Sequence, residues 1–411
     1  MTHEKANKKG LSKYTYLISG AIALLFLGMI YAWSIFKSPL KELIPVITDQ
    51  QLSLTFTISI IFFCVGGLIS GFSARIISSR YRILISSVLV FVGLVLMSTL
   101  SAETLSPALK MYLFYGVLCG TGVGFGYNGI LSGVMEHFPD KVGLASGVLM
   151  LGFGFGGIVL GSLASAIEKV YGIGTTFFIL SFLFLPPLII CAYIMGVKQD
   201  KADFDKAKLT QKQVAHKDYN SKQMLKTGFF AWFIIWNILI CSCGLMIIGS
   251  ASQIAQSFGA SAIIGLMVSV ANGGGRIFIG KVYDSKGESF AVFSTVAFLL
   301  LSGILLLAGY YTGLTILGIL GLLSCGISYG CSPALASCVI KDTYGPKYYP
   351  SNFSIINLQL IVAATVGPTL SHCLREQSGG SFQLSYLSIL IFAGASLFVA
   401  VIMKKSKQSL S

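Results

Sequence analysis

Charge is scarce in this chain, and acidic charge is scarcest. Only 11% of the 411 residues are charged, and 15 Asp and Glu stand against 29 Lys and Arg, a formal net charge of +14. Every acid falls in a tail, between apolar runs or at the end of one. The nine cysteines (Cys64, Cys119, Cys191, Cys241, Cys243, Cys325, Cys331, Cys338, Cys373) stand without a CxxC ligand pair, and of four histidines only His372 lies near an apolar run. No metal site is expected from such a distribution, and lone cysteines inside apolar runs read as small hydrophobes. Neither a GxxxxGKS/T phosphate loop nor a nucleophile elbow occurs. The chain is therefore not read as an enzyme, and no cofactor is expected.

What the sequence has in excess is apolar length. Hydrophobic residues make up 55% of it and its mean hydropathy is +0.81, values of a membrane protein rather than a soluble domain. Runs long enough to cross a hydrocarbon core, about 20 residues each, lie near 14–36, 54–74, 83–100, 111–134, 143–165 and 174–196. Six more lie near 229–250, 260–280, 290–310, 314–340, 352–372 and 385–403. The fold class expected is an all-α membrane protein of twelve transmembrane helices in two six-helix halves. The expected organisation is a tail (1–13), a first half (14–196), a connector (197–228), a second half (229–403) and a second tail (404–411). The connector is rich in Lys and free of Pro and Gly, so it reads as a soluble link with some helical character.

Basic residues set the orientation. If the N-terminus is inside, only Lys37, Lys41, Lys110, Lys169 and Arg375 face outward, Arg276 stands inside a span, and the remaining Lys and Arg all fall on the cytoplasmic side. Such asymmetry is the positive-inside pattern. It puts both termini in the cytoplasm of a multi-pass protein of a bacterial plasma (inner) membrane, and assigns the positive charge to topology and anionic lipid, with no nucleic-acid partner. A monomer in the lipid bilayer is expected. Glycine gathers in GVLCGTGVGFGYNG (116–129), GLASGVLMLGFGFGGIVLG (143–161) and NGGGRIFIG (272–280); close static helix packing and bending of moving helices both account for it.

Two halves of six helices joined by a cytoplasmic connector resemble the major facilitator superfamily. Gly280, Asp284 and Gly287 in GKVYDSKG match its GxxxDxxG loop signature between helices eight and nine. The corresponding first-half loop, GFSARIISSRYR, keeps Gly71 but has Arg75 where the acid would sit. Within the superfamily GMIYAWSIF (28–36), HFPDKVGLASGVLMLGFGFGG (137–157) and NGGGR (272–276) resemble the oxalate/formate antiporter family. The resemblance implies a carboxylate transporter working by alternating access, with Arg276 as the substrate-binding arginine and Tyr31 and Tyr127 among the aromatics around the substrate. A second cation that the family carries in helix eleven is missing, and Leu360 aligns there.

Arg276 supports that implication on its own physics. It lies eight residues before Asp284, hence about 12 Å up the helix and near the midplane, where insertion of a charge costs about 2.5–3.5 kcal/mol. No acid in the chain sits at that depth to pair with it, which leaves an incoming anion as the partner. One turn earlier stands Asn272, an amide that cannot relay a proton, so exchange or uniport is favoured over proton symport. A proton carried on the substrate or a relay through His137 remains the alternative.

Tyr31, Tyr127 and Tyr329 are the pocket-lining candidates, since a phenol offers a ring wall and a hydroxyl; packing or lipid contact is the competing role for each. Asn272 and Gln359 are polar candidates beside them, as are Asn128 and Asn357, with interhelical hydrogen bonding as the alternative. The reading is a secondary transporter of small carboxylate anions, by monocarboxylate exchange or uniport. Its rivals are a proton-coupled monocarboxylate symporter, a drug exporter, which calls for a buried acid that is lacking, and a membrane carboxylate sensor, for which the connector is too short to hold a signalling domain.

Overall fold

The computed structural model describes residues 11–197 and 218–408. Among them every regular element is helical. We label the spans α1 (Lys13–Leu43), α2 (Asp49–Ser73), α3 (Ser79–Ser98) and α4 (Pro107–Met135). The next helix, Val142–Met195, is 54 residues long; unbroken it would run about 81 Å, against a hydrocarbon core of about 30 Å. It turns back at Gly172, where φ 75° and ψ 166° suit only a residue without Cβ, giving α5 (142–171) and α6 (173–195). Ala262–Thr312 breaks in the same way at Gly287, φ 80° and ψ 175°, giving α8 (262–286) and α9 (288–312). With α7 (Gly228–Ile248), α10 (Thr315–Tyr344), α11 (Tyr349–Gln377) and α12 (Gln383–Gln408) the crossings among the described residues number twelve.

Each predicted apolar run has its helix, usually longer than the run itself. The first, expected over 14–36, continues to Leu43 through the polar end SPLKEL, because a helix does not stop where hydrocarbon does. Start signals are local: Thr48 and Gln51 form a capping box at α2, and Thr227 accepts from the Phe230 N–H at α7. Of the connector, residues 198–217 lie outside the described residues, and a short helix, Ser221–Leu225, opens on an Asn220–Gln223 capping box.

Three spans depart from the regular α-helical ladder. Residues Gly28–Ala32 of α1 are a 3-10 turn, Tyr112–Cys119 of α4 a π-helix, and α11 is interrupted between Ile356 and Gln359. Such breaks recur at binding sites of transporters. α2 packs on α4, and α1 on the 142–195 pair; α7 packs on α11 and α12, and α10 on the 262–312 pair. Contacts between residues 13–195 and 218–408 run through the 142–195 and 262–312 pairs and through α2 with α11. Ile69, Phe72, Val88, Phe182, Ile304 and Phe398 are exposed on the outside, an apolar belt for lipid.

Alternating crossings place the α2–α3, α4–α5, α6–α7, α8–α9 and α10–α11 connections and both described chain ends on one face, here the basic face. Two residues counted as loop cations on sequence are instead buried. Arg82 is 2% exposed and lies in α3, donating to the Ser70 carbonyl, Asn128, Ser79 and Ser132. Lys341, 5% exposed, lies in α10 and donates from Nζ to the carbonyls of Met135 and Phe138. Both are therefore packing cations near the basic face, and Arg276 is not the single buried one.

Candidate functional site

Arg276 sits in α8 at 3% exposure. Its Nε donates to Asn272 Oδ1 at 3.3 Å, one turn back, and Nη1 donates to the Met150 carbonyl of α5. A guanidinium has five N–H donors, so these two bonds aim the group and leave its Nη2 side for another acceptor. No carboxylate of a described residue lies within ion-pair distance of it. Gly154 makes the room: a Cβ there would stand 3.1 Å from Arg276 Cζ. Asn272 Oδ1 is thus engaged by the arginine itself.

Tyr31, in the 3-10 turn of α1, and Tyr329, in α10, line a central cavity of about 30 Å³ with Phe153, Leu245, Leu360 and Ala364. Tyr127 stands next to that wall, its ring 4.8 Å from Phe153, which is in turn 5.4 Å from Tyr31. All three tyrosines are within electrostatic reach of Arg276. The structure thus brings together one cation, its amide orienter and a tyrosine-bearing aromatic wall. Such a set offers an anion charge and hydroxyl donation beside ring walls, but a space of about 30 Å³ has room for about one water, so the wall must open to admit a carboxylate.

Gln359 lies beside this group rather than in it. Its Nε2 donates to Cys241 Sγ at 3.5 Å, and Cys241 meets Ser332, which donates to Asn237. Oε1 of Gln359 has no partner among the described residues. Asn128, a cavity candidate on sequence, instead accepts from Arg82 and donates to the Pro350 carbonyl. Ile30, Phe56, Ile60, Phe63 and Leu245, not singled out on sequence, also line the cavity; apolar residues in apolar helices carry no signal to mark them.

The loop residues gather at the basic face. Asp284 accepts from the Gly143 and Leu144 N–H groups, both at 2.8 Å, and so caps the start of α5. Gly280 makes that approach possible, since a Cβ on it would stand 2.2 Å from the Gly143 carbonyl oxygen. Gly287 supplies the turn between α8 and α9. Gly71 of α2 faces the start of α11, where its Cβ would meet the Pro350 carbonyl at 2.5 Å. With Ser146 on the Ala334 carbonyl and Lys341 on Met135 and Phe138, these contacts join the first-half helices to the second on the basic side.

Comparison with known proteins bears on what such a site serves. The family model described as Major Facilitator Superfamily matches residues 15–343. The oxalate:formate antiporter of Oxalobacter formigenes is 25% identical over 401 residues, covering 95% of this chain and 92% of that protein. An uncharacterized MFS-type transporter of Escherichia coli (strain K12), YhjX, is 24% identical over 282 residues, 66% of each. The solved structure of the proton:xylose symporter XylE bound to 6-bromo-6-deoxy-D-glucose superposes with a TM-score of 0.72 at 14% identity, covering 96% of both chains, a likeness of fold alone.

Proposed function

The chain belongs to the major facilitator superfamily, a family of secondary transporters that move small solutes by alternating access, and from that premise we propose that its solute is a small carboxylate anion. The observation that carries the reading is Arg276: a buried guanidinium between the helices of both halves, aimed by Asn272 and Met150, with donors to spare and no carboxylate of the chain within ion-pair distance. A charge in that position calls for an opposite one. The oxalate:formate exchange for which the Oxalobacter formigenes relative is named supports the class of solute.

In this reading Arg276 binds the carboxylate by a charge-assisted fork, Tyr31 and Tyr329 donate hydroxyl hydrogen bonds from the cavity wall, and Tyr127 and Phe153 back them. Gln359 orders the α7–α10–α11 contact next to the site. Gly280, Asp284, Gly287 and Gly71 form the gate: release of Asp284 from α5 opens the basic face, and its return closes it. The basic face is the cytoplasmic one by the positive-inside pattern, in the plasma membrane of a bacterium, and the protein works as a monomer of two six-helix halves, 14–196 and 229–403. Exchange or uniport of monocarboxylates follows from the lack of a proton-relaying acid near Arg276, where Asn272 takes the position one turn away.

Counterflow in proteoliposomes tests the class of solute. Loaded formate, lactate or pyruvate should drive uptake of its labelled form against no gradient of its own, while loaded xylose should not. Counterflow of a sugar and none of any carboxylate would overturn the reading.

A further inference from the structure

We infer that Gln359 is a specificity-determining residue, its Oε1 a preset acceptor for the hydroxyl of a 2-hydroxymonocarboxylate such as glycolate or lactate. This role rests on the Arg276 reading proposed above and narrows its solute. A chain of hydrogen bonds fixes which end of the Gln359 amide is free. Asn237 of α7 donates from Nδ2 to the Phe233 carbonyl at 2.8 Å, so its Oδ1 is the end that meets Ser332 of α10, and Ser332 donates to it at 2.8 Å. The one hydroxyl hydrogen of Ser332 is then spent. Across 3.2 Å the Cys241 thiol therefore donates to Ser332 Oγ, which leaves the sulfur as acceptor for Gln359 Nε2 at 3.5 Å. Oε1 is what remains: an acceptor on a residue 3% exposed, with no donor among the described residues. A buried acceptor left unpaired is costly, and this amide cannot turn over to offer N–H instead without breaking the chain.

Its surroundings connect it to the central site. Ala363, one turn after Gln359, packs with Tyr329 and Cys241, and Tyr329 lines the central cavity with Leu360 and Ala364. Arg276 is within electrostatic reach of both Tyr329 and Cys241. Because α11 is interrupted between Ile356 and Gln359, the part that carries Gln359 and Leu360 can shift by itself as the wall opens to a solute. A carboxylate held by Arg276 then has a fixed acceptor beside it. A 2-hydroxy acid supplies the hydrogen that Oε1 lacks; propionate has no second polar group, and pyruvate brings a second acceptor that opposes it.

Calorimetric titration of the purified full chain with lactate, propionate and pyruvate at pH 7 tests this role. Lactate should bind about tenfold more tightly than propionate, which has the same carbons without the hydroxyl, and more tightly still than pyruvate. Gln359→Met, similar in length but without the acceptor, should bring lactate and propionate within twofold of each other. Cys241→Ser keeps the chain and should keep the preference. Cys241→Ala breaks it, lets the amide turn its N–H toward the pyruvate oxo group, and should cut the lactate-to-pyruvate ratio at least tenfold; this pair carries the test if Gln359→Met does not fold. Equal affinity for lactate and propionate in the wild type, as when a water alone occupies Oε1, would overturn the inference and leave the Arg276 site standing. So would a Gln359→Met variant that weakens all three acids alike, the mark of a packing role, or unchanged ratios in both Cys241 variants. Binding of none of the three acids to the wild type would overturn the carboxylate reading and this one with it.

Discussion

At the scale of single residues the question is what the Arg276 fork contributes beyond its charge. Replacing it by Gln removes the charge and should abolish carboxylate binding. Lys restores the charge but not the planar pair of donors, and cannot keep both Asn272 and the Met150 carbonyl as orienters. Hydrogen bonds to charged groups are worth about 1.5–3 kcal/mol each, so Arg276→Lys should bind about 10- to 150-fold more weakly than wild type. Equilibrium binding of labelled formate to purified variants measures this, and wild-type affinity in Arg276→Gln would remove Arg276 from the site. Arg276 was legible in the sequence because uncharged residues surround it. Arg82 and Lys341 were not, for a cation a few residues from a loop looks the same whether it points to water or into a carbonyl cage. Nor could the sequence tell that Asn128 serves Arg82 while Asn272 serves Arg276, since an amide in an apolar run reads alike in both places.

At the scale of helices and their junctions, the proposed gate rests on the contact between α8 and α5. Asp284 holds the start of α5 through two backbone N–H groups, and a carboxylate at a helix N-terminus is worth about 0.3–1 kcal/mol, up to about 2 when partly buried. Asp284→Asn should therefore raise the population open at the basic face by about 2- to 30-fold. Gly280→Ala should do so more strongly, because its Cβ would meet backbone, the Gly143 carbonyl, at 2.2 Å, and backbone cannot swing aside as a side chain does. Faster hydrogen exchange over residues 142–147 would report the opening; unchanged exchange in both variants would mean that this contact is not part of the gate. Existence and order of the spans were readable from hydropathy alone, as was the GxxxDxxG loop. The 3-10 turn at Gly28–Ala32, the π-helix at Tyr112–Cys119 and the interruption before Gln359 were not, since local hydrogen-bond register depends on what each helix packs against.

Coupling and selectivity belong to the whole molecule, because both depend on the charge enclosed as the halves close on the solute. Exchange of two monocarboxylates should move no net proton, which a pH-sensitive dye trapped in proteoliposomes would detect; stoichiometric alkalinisation or acidification would favour the symport alternative. The same accounting of charge separates mono- from dicarboxylates. In the proposed reading Arg276 neutralises one negative charge, and the neighbouring cavity, which Arg276 does not itself line, has only uncharged lining side chains, among them Leu360 at the position where the resemblance leads one to expect a second cation. A dianion enclosed there would keep about one uncompensated charge in a low-dielectric space, at a cost of several kcal/mol. The unpartnered Gln359 Oε1 offers an acceptor, not a donor, and so does nothing to offset it. Formate, acetate, lactate or pyruvate should accordingly compete better than oxalate at pH 7, where oxalate is fully ionised and cannot pass as a monoanion. Leu360→Lys, which puts a cation on the cavity wall, should reverse that order. Oxalate displacing labelled formate more effectively than lactate does in the wild type would mean that one arginine suffices for a dianion, and that hydroxyls or water, rather than matched charge, set which carboxylate is carried.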